Sequence, residues 1–189
     1  MLMEIIKQIH ERLATLNPRE LSNGYIREAA VLIPIFKINE EYHLLLTRRT
    51  ETVETHKGQI SFPGGMRESD EALLETALRE TNEEVGIKSS SIETLGRFHD
   101  YLSITRFRVT PFVGFIHPPF KTKRQANEVA EILHVPFSVF LDPHNPRIRK
   151  QKYPGRELDV YFYPHGTHQI WGLTARIIKE LFDTLDLAS

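Results

Sequence analysis

Apolar residues Leu2, Ile5, Ile6, Ile9, Leu13 and Leu16 recur at helical spacing, and Asn17-Pro18 punctuates the end of that pattern. The spacing predicts an amphipathic helix within residues 1–20, packed on the outside of a main domain that spans 25–189. Two strand-like runs follow, Ala29 to Phe36 and Tyr42 to Thr47, and Lys37-Ile38-Asn39-Glu40-Glu41 between them reads as a hairpin connection. The polar stretch from Arg48 to Ser61 gives way to Phe62-Pro63-Gly64-Gly65, which predicts a turn. From Asp70 to Val85 the pattern becomes helical, with Gly86 where a left-handed C-cap glycine belongs. Further strands are expected at Ser91–Phe98, Arg108–Phe115, Val129–Val135 and Leu158–Tyr163, and a last helix at Leu173–Leu185. Pro118-Pro119 and Asp142 to Pro146 read as surface loops. Strands outnumber helices and do not alternate strictly with them, so the expected class is α+β, a mixed sheet sandwiched by a few helices.

At 189 residues the chain is long enough for one domain with a sizeable core. Its 24 Lys+Arg against 25 Asp+Glu leave a formal charge of −1, which argues against a nucleic-acid partner held by bulk phosphate neutralisation. The longest uncharged run, Val160 to Ala175, is broken by Pro164, His165, Gly166, His168 and Gln169, so no membrane span is expected and the default location is cytoplasmic. Zero cysteines exclude disulfides, zinc-thiolate sites and thiol nucleophiles. Any metal must therefore sit on carboxylate or imidazole.

The chemistry concentrates in the helix after the glycine turn. Ala77, Thr81, Leu74, Val85 and Leu78 share one arc at about 100° per residue, and Glu80, Glu83 and Glu84 fall on a neighbouring arc with Arg79 at its edge. Like charges at i, i+3 and i+4 repel by about 0.2–0.5 kcal/mol per pair. One explanation is a solvated acidic face with an Arg79–Glu83 ion pair. The other is a magnesium or manganese site, since those ions prefer hard oxygen ligands and substrate phosphates. The glycine turn before the helix offers backbone N–H groups to phosphate, and the acidic cluster sits near the helix C-terminus, where the dipole disfavours negative charge unless a cation compensates.

Gly65 to Ile87 resembles the Nudix hydrolase box, G-x5-E-x7-R-E-U-x-E-E-x-G-U with U aliphatic; eight of its nine defined positions agree, and only Thr81 departs. The resemblance implies a Nudix-type α/β/α sandwich with an extra N-terminal helix. It implies that Glu80 and Glu84 are the principal ligands of Mg2+ or Mn2+, with Glu83 a further ligand or the base. Arg79 would orient the cluster, Glu71 would brace Arg79 from the start of the helix, Gly65 would let the loop fold back over the helix, and Gly86 would be structural. The family's reaction is hydrolysis of a nucleoside diphosphate linked to another moiety, in which metal neutralises the diphosphate and activates a water.

The likeness extends beyond the box. Leu45-Leu46-Thr47-Arg48-Arg49 with Gly58-Gln59-Ile60-Ser61-Phe62-Pro63-Gly64-Gly65 looks like the accessory signature of coenzyme A pyrophosphatases, and Asp100-Tyr101, Val109-Thr110-Pro111 and Ile170 to Ala175 resemble recurring segments of that group. The implied substrate is coenzyme A or a derivative, with Arg48, Arg49, Lys57 and Arg67 as candidate cations and Gly64 and Gly65 as backbone contacts for phosphate. Thr50 stands where that signature has Ser or Ala, and Glu54 stands where it has Arg, which reverses the sign of one contact. Arg106 is a candidate relocated cation. Glu128 lies where several Nudix enzymes carry an additional acidic group near the metals, and so is a candidate catalytic residue or ligand. His99, His165 and His168 lack a convincing metal spacing, Trp171 reads as a packing anchor, and Phe62 as core. The alternatives are the same chemistry on ADP-ribose, a dinucleoside polyphosphate or a nucleoside triphosphate, or a nucleotide-binding domain without turnover; oligomeric state is left open.

Overall fold

In the computed structural model, which describes residues 4–22, 27–51, 58–153 and 156–187, the chain folds as α+β around a mixed sheet. Helix α1 (Glu4–Thr15) is followed by β1 (Arg27–Ile38) and β2 (Glu41–Arg49). Their connection is tighter than the five-residue hairpin loop the sequence suggests. β1 runs through Ile38, and Asn39 and Glu40 alone make the turn, with φ of 46° and 70°. The short β3 (Ile60–Ser61) and β4 (Gly64–Met66) precede helix α2 (Leu73–Val85). Then come β5 (Ile92–Arg97), β6 (Tyr101–Leu102), β7 (Phe107–Ile116), β8 (Val129–Pro136), a single helical turn α3 (Ser138–Leu141), β9 (Arg147–Tyr153), β10 (Arg156–His165), β11 (His168–Trp171) and α4 (Gly172–Thr184).

The large sheet runs β3-β2-β1-β7-β5, with β4 on β1, β6 on β7 and β8 on β2; β9, β10 and β11 form a separate three-stranded sheet. The β1–β7 pair is parallel and the other pairs are antiparallel. Period-two alternation divides the large sheet's side chains between two layers. Ala30, Leu32, Phe36 and Leu45 meet Ala77, Val85 and Ile87 of the α2 layer. Ile33, Ile35, Leu44 and Leu46 meet Ile9 and Leu13 of α1, Ile178 and Leu181 of α4, and Tyr163 and Ile170 of the small sheet. The result is a helix–sheet–helix sandwich, in which α1 packs as the extra N-terminal helix.

Two local expectations change. The glycine turn is a strand: Gly64 and Gly65 pair with Val31 and Ala30, and Gly64 (φ 156°) lies where a Cβ would come within 2.6 Å of the Val31 Cα. The carboxylate helix starts at Leu73 rather than Asp70. Its first turn is closed by Glu75, whose carboxylate accepts the Ala72 N–H at 2.9 Å, and it ends on Gly86 at φ 74° as its sequence position suggests.

Candidate active site

The site lies where α2 passes over β4 and the end of β2. Arg79 is its hub. Its Nε donates to Glu71 Oε1 at 2.9 Å and one terminal nitrogen to Glu71 Oε2 at 3.2 Å, while the other donates to Glu80 Oε1 and Glu83 Oε2, both at 3.0 Å. Glu71 also accepts from the buried Thr76 hydroxyl at 2.7 Å, and this set of donors, led by Arg79, holds its carboxyl down at about 2. Three carboxylates thus converge on one guanidinium, which raises the Arg79 pKa.

Glu80 and Glu84 turn inward. The Glu80 carboxylate lies against Gly65 so closely that any Cβ at that position would overlap it. Burial, partly offset by Arg79, pushes the Glu80 carboxyl up from its ordinary value. Glu84 is only 5% exposed. Burial pushes its carboxyl up to about 8; Arg49 and the Gly64 N–H oppose the shift, and Glu80 and Glu128 reinforce it. Its Oε2 is buried without a hydrogen-bond partner. An orphaned carboxylate oxygen in a field of like charge is the kind of atom that a divalent cation satisfies, so Glu80 and Glu84 could hold one. As they stand the carboxylates are not gathered around a point: among the described residues, no group of three or more His, Asp or Glu is arranged to hold a metal ion. Glu83 is more exposed and its Oε2 faces Arg79.

Period-two alternation separates the two adjacent arginines of β2. Arg49 faces α2, where its charge bears on Glu84, and its Nε is buried without a partner. Arg48 lies on the opposite face, 3.2 Å from Glu131, which also meets His168 at 3.3 Å. Arg67 pairs with Glu28 and donates to the Glu71 carbonyl at 2.6 Å. Glu128 is exposed, but its charge reaches both Glu80 and Glu84. Lys57 and Glu54 lie outside the described residues. Arg106 is exposed in the turn after β6 at φ 62°, and Thr50 donates to the Asn127 carbonyl at 2.9 Å. Phe62 is buried in the core, and Trp171, 41% exposed, stacks on Phe162 with centroids 5.8 Å apart. His99 accepts the Arg19 N–H at 3.0 Å. An open depression of about 550 Å3 borders the outer side of the hub and is lined by Glu71, Glu75, Leu78, Arg79 and Lys88 among others, but Glu80 and Glu84 do not line it.

Two ties lie beyond sequence reasoning: the Leu21 N–H donates to Asp100 at 3.0 Å, and the Gln125 N–H donates to the Glu84 carbonyl at 3.0 Å, which brings the loop that ends on Glu128 to α2. Both join segments far apart in the chain, and no local periodicity reports them. Among the described residues no helix is long and apolar enough to cross a membrane.

A NUDIX domain family model matches residues 26–162. The uncharacterized Nudix hydrolase NudL of Photorhabdus laumondii subsp. laumondii is 40% identical over 165 residues, 87% of each chain. Its counterpart from Enterobacter sp. is 38% identical over 158 residues, 82% of this chain and 81% of that one. In fold, the chain is similar to a MutT protein from Methanosarcina mazei, with a TM-score of 0.56, 23% identity and coverage of 88% of this chain and 99% of that one. It is also similar to a MutT/nudix family protein from Enterococcus faecalis, with a TM-score of 0.55, 16% identity and coverage of 98% and 70%.

Proposed function

Since the chain belongs to the Nudix hydrolase family and is a pyrophosphohydrolase, we propose that its substrate is coenzyme A or an acyl derivative, cut at the diphosphate into 3′,5′-ADP and the corresponding 4′-phosphopantetheine. The accessory signature running from Leu45 to Gly65 into a nearly complete box carries this reading.

In this reading Glu80 and Glu84, with Glu83 beside them, hold Mg2+ or Mn2+. When bound, the metal neutralises the diphosphate and lowers the pKa of an attacking water. The chain's own residues do the rest. Arg79, braced by both oxygens of Glu71, fixes Glu80 and Glu83 against their mutual repulsion, and Gly65 leaves room for the Glu80 carboxylate. Arg49 offsets the buried charge of Glu84. Glu128 takes the proton of the attacking water, because its carboxylate is exposed while Glu83 is engaged by Arg79. The water oxygen joins one phosphorus, the bridging oxygen leaves with the other, and each product keeps one phosphate of the cut diphosphate, the 3′-phosphate staying on the adenosine.

Purified protein with Mg2+ or Mn2+ and coenzyme A should release those two products, and Glu84→Gln, which removes a ligand charge while conserving shape, should lower kcat at least 100-fold. Full turnover in that variant would overturn the ligand assignment; failure of the wild type to cut coenzyme A would overturn the substrate. A second reading, a nucleoside diphosphate without the 3′-phosphate such as ADP-ribose, is favoured by Glu54 in place of the signature arginine. Equal kcat/KM for coenzyme A and dephospho-coenzyme A would support it.

A further inference from the structure

Most cations around the carboxylate cluster are already committed. Arg79 is spent on Glu71, Glu80 and Glu83, Arg67 on Glu28, and Arg48 on Glu131 across the sheet, while Arg49 faces Glu84. The loop between β7 and β8 differs. Its backbone is stapled to the last turn of α2, the turn that carries Glu84: the Lys123 N–H donates to the Val85 carbonyl at 2.8 Å and the Gln125 N–H to the Glu84 carbonyl at 3.0 Å. Gly86 permits this approach, since a Cβ there would lie 2.9 Å from the Lys123 Cβ and 3.1 Å from its nitrogen. The same loop ends on Glu128, whose charge reaches the cluster. Lys121, Lys123 and Arg124 are exposed, and among the described residues none has a carboxylate partner; the Arg124 guanidinium donates to the Val129 carbonyl at 2.6 Å.

We propose that Lys121, Lys123 and Arg124 form a recognition site for a phosphate monoester that the substrate carries outside its scissile diphosphate. The proposal rests on the coenzyme A reading and deepens it, assigning the 3′-phosphate to this loop. Two physical arguments support it. A cluster containing Glu80, Glu83, Glu84 and Glu128 repels a polyanionic substrate, so uncommitted positive charge beside it raises local substrate concentration and fixes orientation. The two backbone staples order the loop before any ligand arrives, which lowers the entropic cost of binding through it.

The test is the double reversal Lys121→Glu/Lys123→Glu, compared with Lys150→Glu/Lys152→Glu on β9, which changes net charge equally at a distant strand. In a binding arm, titration calorimetry with 3′,5′-ADP and 5′-AMP on metal-free protein should show the wild type and the β9 variant preferring 3′,5′-ADP by about tenfold, and the loop variant losing that preference. In a kinetic arm, the loop variant should raise KM for coenzyme A by about tenfold more than for dephospho-coenzyme A, with kcat unchanged, since only the loss of long-range attraction is common to both substrates. A loop variant that keeps the wild-type preference, or a wild type with none, overturns the loop assignment. A wild type that prefers 3′,5′-ADP through the loop but cuts no coenzyme A overturns the proposed reaction and leaves the phosphate site standing.

Discussion

Glu84 sits inside the protein with one oxygen unpartnered, facing two other carboxylates and one arginine. Its position in the box follows from spacing alone, but its burial does not: on a helical wheel it shares an arc with Glu83, which is largely solvated. The difference lies in their tertiary neighbours: Glu84 meets the Gly64 N–H and the Arg49 charge, whereas Glu83 turns to Arg79 at the helix surface. A stability prediction follows from the sign of its shift. A carboxyl raised to about 8 in the fold, against an ordinary value near 4.5, retains its proton better when folded. Its contribution is therefore fully present below about pH 4.5 and is lost as pH rises through about 8. Metal-free Glu84→Gln should melt higher than the wild type at pH 8.5, by about 2–4 °C for each kcal/mol recovered, and the gap should close at pH 5. Added Mg2+ or Mn2+ should raise the wild-type Tm at pH 8.5 and have a smaller effect on the variant. Thermal scans at the two pH values check this.

Long elements with a strong period were legible. The helices and most of the longer strands fall near their expected places, because apolar periodicities of 3.6 and 2 report the faces that α1, α2, α4, β1 and β7 bury. The small strands were not legible: β3, β4 and β6 have two or three residues each, too few to show alternation. β9, Arg-Ile-Arg-Lys-Gln-Lys-Tyr, lacks the apolar content of a half-buried strand; its pairing to β10 supplies what its composition does not. Gly86 shows what one element boundary can control. Gly86→Ala must strain an L-residue at φ 74° and press on the Lys123 backbone, so it should cost about 1–2 kcal/mol and disturb the loop that carries Glu128. A lowered urea midpoint together with a lowered kcat is the expected outcome. A lower midpoint with unchanged kcat would show that the loop tolerates the shift.

Across the whole molecule, a buried carboxylate between β5 and β6 joins the N-terminal segment to the active-site scaffold. Asp100, 1% exposed, accepts from Arg97 at 2.9 Å, the Thr110 hydroxyl at 2.7 Å and the Leu21 N–H at 3.0 Å. Arg108, 3.9 Å from Asp100, pairs with Glu28, and Glu28 pairs with Arg67, which reaches the Glu71 carbonyl beside the Arg79 brace. Asp100→Ala would leave the Thr110 hydroxyl and the Leu21 N–H without their acceptor and Arg97 and Arg108 without their buried counter-charge, so it should cost about 3–5 kcal/mol in chemical denaturation. Asp100→Asn, which keeps the shape, should cost less. Sequence alone determined the chemistry available to this protein: hard oxygen ligands at fixed helical spacing, no thiols, and an apolar pattern that commits α2 to one face of a sheet. It could do so because side-chain identity and helical or strand period are local properties. Tertiary structure decided which glutamate is buried, which of two adjacent arginines faces it, and which cations are left uncommitted. Those outcomes depend on pairings such as Arg48 with Glu131, 83 residues apart, and no local period encodes a contact at that separation.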